Sequence, residues 1–142
     1  MQEARPLCDV QRIEQAVRQA ELQTSAEVRV HIARVCKGDP LDEAVRIFAA
    51  LGMHKTRLRN GVLIYVSPVS RKGSILGDRG VVDVVEAAFF EEVFERARKT
   101  QAASGWTAAI EGMVAECAQS LASHFPREAS DVNELPDHVS VE

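Results

Sequence analysis

The sequence predicts a layered α/β/α sandwich around a small mixed sheet, with elements in the order α-β-α-β-β-α-α. Three observations carry that reading. Residues 62–66 are apolar at every position, as in a central strand covered on both faces. Stretches with helical apolar spacing flank strand-length stretches. A strand-helix-strand unit early in the chain implies parallel strands joined by a right-handed crossover, and a hairpin after it adds an antiparallel strand.

Each element follows from its residues. Val10, Ile13 and Val17 lie at helical spacing behind Asp9, an N-cap residue, so a first helix spans roughly 9–22 and breaks at Thr24 and Ser25. Val28, Val30 and Ile32 alternate with Glu27, Arg29 and His31, the pattern of a strand with one wet face. Asp39 then caps a second helix that Pro40 opens, with Leu41, Ala44, Val45, Phe48 and Ala49 on its apolar side and a stop near Gly52. After the central strand, residues 68–73 turn the chain and Ser74, Ile75 and Leu76 return it. Gly77-Asp78-Arg79-Gly80 leads into a third helix carrying Val81, Val84, Val85, Ala88 and Phe89 on one face. Ser104 and Gly105 break it, and a fourth helix follows with Trp106, Ile110, Met113, Val114, Cys117 and Leu121 as its seam.

With 142 residues the chain makes one domain, its core at about 9–126 and residues 127–142 an extended C-terminal tail packed on the surface. A content of 46% hydrophobic and 27% charged residues supports a true core. The net charge of -4 argues against a nucleic-acid partner. No run approaches the roughly 18 apolar residues of a membrane span, and residues 1–7 lack a secretory apolar region, so a soluble, cytoplasmic protein is expected. Cys8, Cys36 and Cys117 are widely spaced and odd in number, which fits reduced, buried thiols. The chain is expected to fold without metal, as a monomer or weak dimer.

Topology brings the polar loops together. Parallel first and second strands begin at one edge of the sheet, and the returning third strand ends there. Residues 24–27, 55–60 and 77–80 therefore converge, and loops gathered at a sheet edge are a usual place for a site. In one reading Glu27 and Asp78 bind a divalent cation, calcium or magnesium, with Ser25, Asn60 and carbonyl groups as further oxygen ligands. In another, Arg57, Arg59 and Arg79 bind an anion beside the start of the third helix. Against the first stands the plain alternative that the two acids pair with these arginines or that Asp78 caps the helix, and against the second that the arginines are solvated on a charged rim. The two site readings also combine, since phosphate-ester chemistry uses a metal together with arginines.

Other features are weaker. His31 and His54 read as surface residues. Cys36 beside Lys37 has no matching histidine, and no GxSxG elbow is present. Residues 77–80 form neither a dinucleotide fingerprint nor a P-loop, so no organic cofactor is expected. Trp106, Phe89, Phe90 and Phe94 read as core.

At several of these segments the sequence resembles the TPM domain family. That family is named for a thylakoid-lumen acid phosphatase, a photosystem II repair protein and a receptor modulator. The stretches that carry the resemblance are residues 24–30 (TSAEVRV), 48–53 (FAALGM), 56–66 (TRLRNGVLIYV) and 75–81 (ILGDRGV), with 124–126 (HFP) and 133–137 (NELPD) in the tail. It is similar to a short, soluble bacterial branch, over about residues 10–137. The resemblance implies an α/β/α fold, divalent-metal binding near the sheet edge and, in some plant members, acid phosphatase activity. By position, Glu27 and Asp78 match the family's acidic edge residues, and Asn60-Gly61 matches the turn into the central strand. Many longer members carry Gly-x-Gly where this chain has Gly77-Asp78-Arg79-Gly80, and the tethered members have a signal peptide and a transmembrane helix.

Three functions from different classes follow. One is a non-catalytic interaction or assembly module for an unknown protein partner, with a divalent metal at the edge. Another is a metal-dependent acid phosphatase-like hydrolase. The third is an anion- or small-ligand-binding domain that uses the arginine rim. No residue pairs as a persuasive nucleophile and base, which favours the module.

Overall fold

Asp9 and Asp39 start the first two helices as their side chains predict. Asp9 accepts a hydrogen bond from Arg12 N and Asp39 one from Leu41 N, with Pro40 in the first turn of the second helix. The computed structural model describes residues 7–127 and 139–142. Its elements are α1 (Val10–Glu21), β1 (Glu27–Ile32), α2 (Pro40–Ala50), a 3-10 turn (Met53–Lys55), β2 (Gly61–Ser67), β3 (Lys72–Gly77), α3 (Arg79–Val82), α4 (Ala87–Ser104), α5 (Trp106–Ala122) and β4 (Val139–Val141).

The strands lie in the order β3-β2-β1-β4. β1 and β2 are parallel, with Glu27 opposite Gly61 and Ile32 opposite Val66. β2 and β3 form the antiparallel hairpin, Val62 opposite Gly77 and Ser67 opposite Lys72. The sheet is mixed, as the sequence predicts, and it separates two apolar layers. Val28, Val30, Val62, Ile64 and Ile75 pack with α1, α4 and α5. Leu63 and Tyr65 pack on the other side with Ala44, Ile47 and Phe48 of α2 and with Met53.

Four expectations are corrected. β1 has no wet face: Glu27, Arg29 and His31 are only 7%, 3% and 6% exposed. They share the sheet face of Leu63 and Tyr65, where α2 packs on β2 and β3, so alternation in sequence marks a change of layer rather than a change to water. On α2 itself Ile47 is buried, while Leu41 and Val45 face outward. The third helix is two. α3 ends at Val82 and α4 begins at Ala87, because four β-branched valines in the run 81–85 disfavour a continuous helix there. As a result Val84 and Ala88 are exposed, and α4 buries Phe90, Val93, Phe94 and Ala97. Finally, the end of the tail is not simply laid on the surface. Val139–Val141 pairs parallel to β1 as a fourth strand, with Ser140 opposite His31. The tail motif at 133–137 lies outside the described residues.

Cys8, Cys36 and Cys117 are free and buried, as expected. Among the described residues no helix is long and apolar enough to cross a membrane.

Candidate functional site

The parallel pairing of β1 with β2 and the return of β3 bring three loops to one edge of the sheet. Gly61 is the point they share. Glu27 lies opposite it on β1, and the Asp78 N–H donates to its carbonyl at 2.9 Å from the end of β3. The loop before β1 is tied to the end of α5: Thr24 Oγ1 donates to the Phe125 carbonyl at 2.6 Å, and Ser25 N donates to the same oxygen at 2.9 Å.

The loop before β2 turns sharply. Arg59 takes a left-handed backbone, φ 53°, and Asn60 N donates to Thr56 Oγ1 at 3.2 Å. Asn60 is buried and its side-chain amide approaches the Ser25 carbonyl at 3.5 Å, at the outer limit of a hydrogen bond. The turn swings the Arg59 side chain onto the third loop. Its Nε donates to Asp78 Oδ2 at 2.7 Å and its Nη2 to Asp78 Oδ1 at 2.9 Å, a two-point grip on a carboxylate that is 7% exposed. Asp78 Oδ1 also accepts the Arg79 N–H at 2.7 Å and so caps α3.

The electrostatics follow from these contacts. Burial by itself raises the Asp78 carboxyl. The Arg59 hydrogen bonds, the Arg79 N–H and the charges of both guanidinium groups outweigh it and hold the group below its ordinary value. The same carboxylate holds the Arg59 guanidinium above its ordinary value.

The sequence-predicted site residues thus divide. Ser25, Glu27, Arg59, Asn60 and Asp78 gather at the edge, whereas Arg57 and Arg79 are exposed on its rim. The arrangement as it stands suits neither ligand class. A hard cation wants six or more oxygen donors. Both Asp78 oxygens already face Arg59, and among the described residues no group of three or more His, Cys, Asp and Glu side chains could hold a metal. For an anion, α3 is a four-residue helix whose first N–H groups are committed: Arg79 N to Asp78 Oδ1, Gly80 N to the Arg59 carbonyl and Val81 N to the Asp78 carbonyl.

A second polar constellation lies at the opposite end of β1, and the sequence reading missed it. His31 Nδ1 lies 2.7 Å from Ser140 Oγ and Nε2 2.7 Å from Glu142 Oε2, while the ring stacks on Tyr65 at 5.9 Å and 12°. His31 is therefore buried in the sheet, not on the surface. The order serine, histidine, carboxylate is that of an activated nucleophile. The contact follows directly from register, however, since Ser140 is the cross-strand neighbour of His31 and Glu142 stands two residues further on the same face. It fastens β4 to the sheet. The only sequence signal was His31 on the strand itself, because its partners come from 109 and 111 residues away. Cys8 and Cys117 are no better as nucleophiles: burial pushes Cys8 up to about 11 and Cys117 up to about 12.

The family model for the TPM domain matches residues 7–120. The NMR structure of the BA42 protein from the psychrophilic bacterium Bizionia argentinensis is similar over 100% of both chains, with a TM-score of 0.87 and 30% sequence identity. No curated protein matches the chain in sequence.

Proposed function

The chain belongs to the TPM domain family, and from that premise we propose that it acts as a non-catalytic interaction or assembly module. One observation carries this reading. Asp78, the carboxylate around which a cation site or a phosphate reaction at this edge would be built, is committed to the fold, held at two points by Arg59 and capping α3. A carboxylate held below its ordinary pKa by two guanidinium groups is a poor general base. The edge loops then serve to set the frame of the sheet on which outer surfaces are displayed.

The test is hydrolysis of a simple phosphate ester by the wild type and by Asp78→Asn, with calcium or magnesium present. The module reading expects no turnover above background in either protein. Turnover by the wild type that Asp78→Asn abolishes would establish the hydrolase instead.

Cation binding at this edge is the second reading, and the placement of Glu27 and Asp78 on either side of Gly61 favours it. It requires Arg59 to release Asp78, so calcium or magnesium would compete with an internal guanidinium rather than enter a prepared cage.

A further inference from the structure

β3 is an outer strand of the sheet, with β2 on one side and, among the described residues, no strand on the other. The phase of its ladder fixes which groups it leaves unused. The hydrogen bond from Asp78 N to the Gly61 carbonyl makes those two a bonded pair. Bonded and non-bonded pairs alternate along an antiparallel ladder, so Leu76, Ser74 and Lys72 carry the bonds to β2. The N–H and C=O groups of Gly73, Ile75 and Gly77 point away from the sheet, and no backbone group of another described element takes them.

This edge forms the floor of a groove of about 610 Å³. The first turn of α2 makes one wall, through Pro40 and Leu41, and α4 makes the other, through Phe90 and Phe94. The groove is mostly apolar, and Leu41 and Val82 at its borders are 48% and 54% exposed. Glycine keeps the floor low: a Cβ on Gly73 would lie 2.6 Å from both the Phe94 ring and the Tyr65 carbonyl. Every charged side chain lining the groove is acidic: Asp39, Glu91 and Glu95. Glu95 pairs with Arg98, whose guanidinium lies over the Phe94 ring, and Glu91 forms no ion pair among the described residues. The one cation on β3, Lys72, turns its amine to the Gly38 carbonyl at 3.2 Å.

We propose that this groove binds an extended peptide of alternating apolar and basic residues, which adds to the free edge of β3 as a further strand. The proposal rests on the module reading and names its partner. Main-chain bonds to Gly73, Ile75 and Gly77 supply the docking, and alternate apolar side chains pack on Pro40 and Leu41 of α2. The intervening lysine or arginine side chains, on the opposite face of the added strand, meet Glu91 and Glu95 of α4. The strand rises roughly 3.3 Å per residue, so the site spans about six peptide residues. A second copy of the chain is a poorer occupant, because pairing β3 with β3 sets each acidic rim against its like.

The probe is a synthetic eight-residue peptide of alternating valine and lysine, titrated into the full-length ¹⁵N-labelled protein. Saturable amide shifts centred on Gly73, Ile75 and Gly77 are expected, weakening as salt rises. The double substitution Glu91→Lys with Glu95→Lys, at exposed positions of α4, weakens binding roughly tenfold without altering the fold. Absence of shifts at β3, equal binding of an alternating valine and glutamate peptide, or β3 shifts that depend on protein concentration alone would each overturn the proposal. If such a failure comes without phosphate-ester turnover, it removes this partner and leaves the module reading intact.

Discussion

Arg59 and Asp78 lock two loops together across the edge of the sheet, Nε to Oδ2 at 2.7 Å and Nη2 to Oδ1 at 2.9 Å. Arg59 precedes the central strand and Asp78 follows its hairpin partner. The pair therefore closes the β2–β3 hairpin at its open end, while the Gly80 N–H bond to the Arg59 carbonyl at 2.8 Å braces it from the backbone.

Removing the charge of Asp78 should weaken this clasp. Asp78→Asn keeps an oxygen for the cap but loses the ion pair, so a cost of about 1 to 2 kcal/mol is expected, moderated because Arg59 is partly exposed. Chemical denaturation of wild type and variant gives the difference directly.

The same pair sets a pH dependence. Asp78 has a folded-state pKa below its unfolded value, so its contribution is fully present above about pH 4 and is lost as pH falls through the lowered value. Wild type should therefore lose more stability than Asp78→Asn between about pH 4 and pH 2. Parallel stability curves for the two proteins over that range would contradict the assignment.

Gly80 is where the two loops approach most closely. A Cβ there would collide with the Leu58 carbonyl and stand 2.8 Å from that of Arg59, both of them backbone atoms with little room to yield. Gly80→Ala should destabilise the protein by about 2 kcal/mol, even though alanine is the better helix former. A melting temperature equal to or above that of wild type would show that the loops are not packed so tightly.

His31 should govern the attachment of β4. His31→Ala removes both side-chain contacts to that strand, at Ser140 and Glu142. Amide exchange at Ser140 and Glu142, whose N–H groups face β1, should accelerate roughly tenfold, with little change in the α4–α5 core. Unchanged exchange at those amides would mean that backbone pairing alone holds the strand.

Much of this arrangement was legible in the residues. Asp9, Asp39 and Pro40 mark their helix starts by side-chain chemistry that acts within one turn. The apolar run of β2 announces a strand covered twice, and the convergence of the three edge loops follows from the parallel pair and the hairpin. What escaped prediction depends on distant partners. The burial of this face of β1 comes from groups distant in sequence, such as Tyr65, Ser140 and Glu142 around His31, which leave no trace in the strand's own alternation. β4 is three residues long and finds its partner more than a hundred positions away. The break between α3 and α4 was visible in the valine run, but it was outweighed by an apolar spacing that looked continuous.

At the site, the residue types were legible and their pairing was not. Arg57, Arg59 and Arg79 are equivalent in sequence, and only the left-handed turn at Arg59 selects which of them reaches Asp78.

In the module reading Asp78 is a structural clasp rather than a cation ligand. The most direct test titrates calcium and magnesium to millimolar levels into wild type and Asp78→Asn, following amide shifts, and compares melting of the two metal-free proteins. On this reading a destabilised variant is expected and, in wild type, no saturable shift at Glu27, Asn60 or Asp78. Saturable shifts at those amides, lost in a variant that melts at or above the wild-type temperature, would contradict it, because repelling carboxylates gain stability when one is neutralised.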